Sequence, residues 1–257
     1  MTSLHPLAWG LLATLATMLL AWVVSVPRRD VSIVDIFWSA NLLAAAIAYA
    51  LALPVAGPRE WLVICMVAAW ALRLSGFIAA RNHGKPEDRR YQAMREKRGQ
   101  AFWWKSFYVV FLTQAVIAWI LSWQLYGAMA SSAPLTWLDG LGVALWLFGF
   151  VFETVADRQL AGFLSRPDRG DAVMDQGLWR YSRHPNYFGE FCVWWGLFLL
   201  AVSAGAWWSI VAPLMLSFLL LKVSGVALTE KSIAGRRPGY QQYMRRTSAF
   251  LPLPPKS

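Results

Sequence analysis

The residues best suited to chemistry lie in the run Arg183-His-Pro-Asn-Tyr-Phe-Gly-Glu190, which follows Gly177-Leu-Trp. Pro185 fits the first turn of a helix, where its missing N–H has no partner to lose. Asn186 and Glu190 are four apart and so share one helix face. A helix N-terminus beside Arg180, Arg183 and His184 suits an anionic group such as a phosphate. Arginines alone at a membrane face would meet lipid headgroups. An Asn and a Glu on one inward face point instead to a bound molecule. Glu153 and Asp157 repeat the four-residue spacing. Two carboxylates on one face repel, so donors are expected between them: Arg73, Lys222 or a ligand's hydroxyls. Asp35 and Trp38 are three apart on another segment. They form either an interfacial carboxylate near Arg28 and Arg29 with an aromatic anchor, or a polar pair facing a cavity. The stretch 229–243 adds Glu230, Arg236, Arg237 and the pair Tyr240 and Tyr243. It reads as a basic tail on anionic headgroups or as an ordered cap.

The elements that position these groups follow from composition. Of 257 residues, 58% are hydrophobic and 15% charged, and 16 are tryptophan. Soluble domains carry about a quarter of their residues as charged, so lipid is the expected solvent. Spans need about 20 apolar residues. They are predicted at 7–26, 32–54, 60–80, 103–127, 134–156, 186–204 and 206–226. The sixth and seventh are parted only by Ser203-Ala-Gly-Ala206, a tight helical hairpin. The expected fold is an all-α polytopic membrane protein of about seven helices in a single domain, 1–257. Met1–Val26 reads as a retained first span, since a basic leader segment and a small-residue cleavage site are both missing. Cys65 and Cys192 sit in apolar runs and imply no disulfide framework.

The net charge is +10, yet the cations fall between apolar runs and not on a face for nucleic acid. Loops 28–31, 81–102 and 157–185, the tail from 227 and Lys105 hold 21 of the 24 Lys and Arg. Arg59 is alone on the other side, while Arg73 and Lys222 lie within spans. That asymmetry puts the C-terminus in the cytoplasm and the N-terminus outside.

The Arg183–Glu190 run resembles the steroid 5-alpha-reductase family. The likeness to its bacterial relatives extends over Ser32–Trp38, Arg81–Tyr91 and Glu230–Pro252. Sterol reductases share the Arg-His-x-Asn-Tyr core, and isoprenylcysteine carboxyl methyltransferases a looser Arg-His-Pro-x-Tyr form. The resemblance implies a seven-span reductase holding NADPH in a cavity open to the cytosol. Hydride would pass to the β carbon of an α,β-unsaturated ketone and a proton to its α carbon. It places Asn186 and Glu190 on the family motif, with Tyr187 beside them, and Glu153 and Asp157 on an Asn–Asp pair. Lys85 falls on a basic residue of the nucleotide loop, and Asp35 is the nearest match to a proton-relay Glu. The family's tyrosine in span three has no counterpart in Glu60–Ala80.

The chemistry agrees with these residue types. Arg183, Arg236 and Arg237, with His184 and Tyr240 nearby, can meet the phosphates of a dinucleotide, the third of NADPH included. Carboxylates suit its hydroxyl and amide donors. Desolvation would keep Asp35 neutral, able to polarise a carbonyl, with Trp38 packed on a flat substrate. No metal is expected. The partners would be an apolar small molecule and membrane lipids, with no nucleic acid, and the chain would act as a monomer. The alternative is a methyltransferase using S-adenosylmethionine, which has no phosphates and needs fewer arginines.

Overall fold

The computed structural model describes residues 4–54, 57–168, 170–223, 225–226, 230 and 239–256. Among them there is no β-strand; a single parallel bridge joins Ser182 and Ser248. Among the described residues, five helices are long and apolar enough to cross a membrane. The chain divides into two compact units, one of residues 1–135 with 201–212, the other of 136–200 with 213–257.

The first unit contains α1 (Pro6–Arg28), α2 (Ile33–Ala52), α3 (Pro58–Asn82), α4 (Arg89–Arg98), α5 (Phe102–Ser106) and α6 (Thr113–Met129). A 3₁₀ turn at Gly99–Ala101 and a π turn at Phe107–Leu112 join the last three into one 41-residue helix. The stretch 81–102, expected to be loop, therefore carries α4. Asp88 explains it: its Oδ1 accepts the Arg90 N–H at 2.9 Å and caps the helix.

In α1 the usual sidedness is inverted. Gly10, Thr14, Met18, Ala21 and Ser25 are buried, while Trp9, Leu12, Leu19, Leu20 and Val23 are exposed. A large side chain left in water forgoes about 1.5–3 kcal/mol, so this outer face belongs in lipid. Small residues inside let the helices approach closely. Hydroxyls supply the polar ties: Tyr49 and Ser122 meet at 2.6 Å, Ser39 and Ser75 at 2.7 Å. Arg59, expected on the outer surface, is fully buried. It donates to the carbonyls of Ala133 and Pro134 and to Ser203 Oγ, which satisfies the charge without solvent.

The second unit contains α7 (Trp137–Leu164), α8 (Pro185–Ser203), α9 (Val211–Phe218) and α10 (Gly239–Arg246), with a π turn at Leu219–Val223 extending α9. A capping box of Thr136 and Asp139 starts α7, which accounts for Asp139 at a helix end. The helix runs two turns beyond its predicted end, so Glu153 and Asp157 lie inside it. α7 and α8 pair through glycines seven apart on each. A Cβ on Gly149 would lie 2.6 Å from the Gly189 carbonyl, and one on Gly196 would lie 2.7 Å from the Gly142 carbonyl. The pairing is antiparallel, backbone on backbone. After the turn at Gly205, Trp195 Nε1 donates to Ser217 Oγ at 3.2 Å and ties α8 to α9.

Candidate functional site

In the second unit the glycine contact sets the site. It brings Gly189 against Glu153, so closely that a Cβ on Gly189 would fall 2.6 Å from the Glu153 Cβ. One turn along, Asn186 Nδ2 donates to Asp157 Oδ1 at 3.4 Å. Glu190 accepts from Trp194 Nε1 at 3.0 Å, a bond between neighbours one turn apart. Glu153, Asp157 and Glu190 are all buried. The Asn186 Oδ1 is buried with no hydrogen-bond partner among the described residues. Sequence spacing puts these four side chains on two helix faces, and the fold brings the two faces together. The cluster is rich in acceptors, and a ligand carrying N–H and O–H groups matches it.

Arg183 does something other than expected. Its Nε donates to Glu230 at 2.6 Å, and its Nη1 donates to the carbonyls of Met244 and Thr247. The guanidinium is buried, and its Nε and Nη1 are engaged within the protein. His184 is turned the same way, with Nε2 3.3 Å from Glu230 and its ring stacked on Tyr187. Burial opposes the Glu230 charge, but the hydrogen bonds of His184 and Arg183 outweigh it and hold the carboxyl below its usual range. Tyr240 packs edge-on against Tyr243. Burial, then the Glu230 charge, push the Tyr240 hydroxyl well above the usual phenol range. The tail is thus bolted to the start of α8. Arg236 and Arg237 lie outside the described residues.

The Gly177-Leu-Trp element completes this frame. Gly177 has φ +59°, a conformation that favours glycine, and a side chain there would strike Gln159. The Leu178 N–H donates to Gln159 Oε1 at 2.9 Å, and Trp179 Nε1 to the Ala156 carbonyl at 3.0 Å. Tyr243 then donates its hydroxyl to the Trp179 carbonyl.

In the first unit Asp35 is half-buried and ion-paired. Arg90 Nη2 lies 2.6 Å from Oδ2, and the Tyr91 hydroxyl donates to Oδ1 at 2.8 Å. Both Asp35 oxygens are therefore engaged within the first unit. The partner is Arg90, not Arg28 or Arg29. Tyr91 is packed among Met18, Val34, Phe102 and Phe111. Sequence reasoning passed over it because it lay in a presumed loop; the signal was Asp88 as a helix cap before a polar helical run. Burial works against the Asp88 charge too, but the hydrogen bonds and charge of Arg90 hold its carboxyl below the usual range. Glu87 adds a brace, accepting the Val31 N–H at 2.8 Å and two bonds from Arg95. Trp38 is partly buried on α2, and Lys85 is exposed in the loop before α4.

A family model described as a protein of unknown function (DUF1295) matches residues 21–247. The chain belongs to that family. The chain is similar to an uncharacterized protein of Schizosaccharomyces pombe, 24% identical over 278 residues, a match covering 96% of this chain and 80% of that protein. The cobalt-zinc-cadmium resistance protein CzcN of Cupriavidus metallidurans is 25% identical over 139 residues, covering 54% of this chain and 61% of CzcN. No solved structure matches. Among the described residues, no group of three or more His, Cys, Asp or Glu is arranged to hold a metal ion.

Proposed function

We propose that this DUF1295 protein is an NADPH-dependent membrane reductase acting on the carbon–carbon double bond of an apolar, steroid-like α,β-unsaturated ketone. The observation that carries the reading is the buried, partnerless Asn186 Oδ1 beside three buried carboxylates on α7 and α8. A nicotinamide riboside offers the matching donors, a carboxamide N–H₂ and ribose hydroxyls. Asn186, Glu153, Asp157 and Glu190 would hold that end, and Arg236 and Arg237 would meet the phosphates. Bound NADPH would supply the hydride. The chain's own part in this reading is to exclude water, to orient the enone and to deliver a proton. The proton would come through the pair of Asp35 and Tyr91, in which the Tyr91 hydroxyl donates to the Asp35 carboxyl. Trp38 would pack against the substrate.

The same reading takes α8 and the 17-residue apolar stretch Trp207–Val223 as the sixth and seventh spans. The charged loops then face the cytoplasm of a bacterial cell, and the chain works as a monomer.

The test is protein purified in detergent, with mass spectrometry of retained nucleotide and NADPH oxidation measured with progesterone or testosterone. Wild type should bind NADPH and oxidise it in the presence of an enone. Asn186→Ala should weaken NADPH binding about tenfold, the loss of one buried hydrogen bond, without unfolding the protein. Retained S-adenosylmethionine in place of a dinucleotide would favour a methyltransferase. Protein that neither binds NADPH nor oxidises it with any enone would sink the reductase.

A further inference from the structure

We propose that an open groove in the second unit binds the phosphate of an anionic phospholipid headgroup. The groove has a volume of about 800 Å³, and its lining includes Arg180, Arg246, Lys256, Asp175 and Thr247. Three cations face one carboxylate. The ion pair in its wall is loose, with Arg246 Nη2 3.4 Å from Asp175 Oδ2 and both side chains nearly half exposed. Positive charge is therefore left over for a ligand.

The walls are rigid although they lie outside any long helix. Backbone bonds stitch the strip before α8 to the tail: Arg183 N–H to the Ser248 carbonyl at 2.9 Å, and Leu253 N–H to the Tyr181 carbonyl at 3.0 Å. Lys256 N–H reaches the Arg246 carbonyl at 2.8 Å. Thr247 Oγ1 donates to the Arg180 carbonyl at 3.4 Å. A preorganised anion site loses little entropy when it is filled.

What separates a lipid from a soluble phosphate is the rim. Tyr181, Leu251 and Leu253 are about half exposed; Tyr181 follows Arg180 in the chain, and the Leu253 N–H donates to its carbonyl. A free phosphate has no use for them, whereas the glycerol and upper acyl carbons of a lipid would cover them. Arg180 also stands five residues before the start of α8, which is the membrane boundary if α8 spans. The inference rests on that part of the seven-span reading and on nothing about NADPH.

The experiment places the protein in nanodiscs of phosphatidylcholine, with or without phosphatidylglycerol, and follows acetylation of individual lysines by peptide mass spectrometry. Phosphatidylglycerol should slow labelling of Lys256 several-fold more than labelling of Lys97, an exposed lysine in the first unit. Each cation removed should weaken the protection about fivefold, which corresponds to about 1 kcal/mol per basic residue. Arg180→Gln with Arg246→Gln should abolish it. Lysine at both positions should retain it, because a point charge suffices for phosphate. Inorganic pyrophosphate added to phosphatidylcholine discs should leave Lys256 unprotected. Equal slowing of Lys256 and Lys97 would reduce the effect to general surface potential and overturn the proposal. Protection by pyrophosphate matching that by phosphatidylglycerol would overturn it in favour of a soluble phosphate. Nanodiscs expose both faces, so neither result depends on orientation, which a tail fusion reports separately.

Discussion

Asp35 and Arg183 are charged groups in a largely apolar chain, and each is held by its opposite. Asp35 takes the Arg90 guanidinium and the Tyr91 hydroxyl, while Arg183 takes Glu230 and two carbonyls. The first pairing makes Tyr91 the group to test. Tyr91→Phe should keep NADPH binding and cut turnover about 10²–10⁴-fold, the usual contribution of a general acid. Stopped-flow NADPH oxidation reads it, and an unchanged rate would return Tyr91 to a packing role. The second pairing predicts a pH dependence. The Glu230 carboxyl titrates in the folded protein below the ordinary glutamate value of 4.5, so the stabilisation is full above that value. It is lost as pH falls through the lower folded value, because protonation removes the charge that Arg183 holds. Glu230→Gln should cost about 2 kcal/mol at neutral pH, typical of a hydrogen bond to a charged group. The difference in melting temperature between variant and wild type should close in acid. A gap that stayed constant with pH would show that the carboxylate charge does not matter.

At the scale of elements, α7 and α8 owe their closeness to Gly142, Gly149, Gly189 and Gly196. Gly189→Ala puts a methyl 2.6 Å from the Glu153 Cβ and 2.7 Å from its backbone N, so the helices must part. The expected destabilisation is about 1–3 kcal/mol, as for other overpacked contacts. Thermal unfolding in detergent measures it, and a control Gly140→Ala, with open space at its Cβ, should be close to neutral. This is also where the sequence was partly readable. Long apolar runs gave α1, α2 and α3 and the end of α6 to within a few residues, because a membrane span leaves a run too long to mistake. The four-residue spacings Glu153/Asp157 and Asn186/Glu190 gave two polar faces. Their meeting depended on a glycine contact between residues 40 apart, 149 and 189, which periodicity within one helix does not reveal. The Asp35–Tyr91 bond was hidden for the same reason, and the burial of Arg59 under the carbonyls of Ala133 and Pro134 as well. The bond of Arg183 to Glu230 was equally hidden, because a motif arginine looks alike whether it meets a phosphate or the chain's own tail.

For the whole molecule, the distribution of Lys and Arg sets the expected orientation, and the inward burial of Arg59 removes the lone cation from the opposite surface. A green fluorescent protein fused after Ser257 should fluoresce in the bacterial cytoplasm, and an alkaline phosphatase fused there should be inactive. An active phosphatase would reject the seven-span arrangement. The two units also share the chain in an alternating way: residues 201–212, from the last turn of α8 to the start of α9, belong to the first unit, while the stretches on both sides belong to the second. Within the first unit the Ala206 methyl fills the space a side chain at Gly127 would need, and Ser209 is buried. A ribosome therefore releases the first unit unfinished. Residues 1–135 wait, with an open seat beside Gly127, until some seventy further residues have been made and the hairpin tip arrives, so insertion of the early helices and completion of their packing are separate events in the life of the nascent chain.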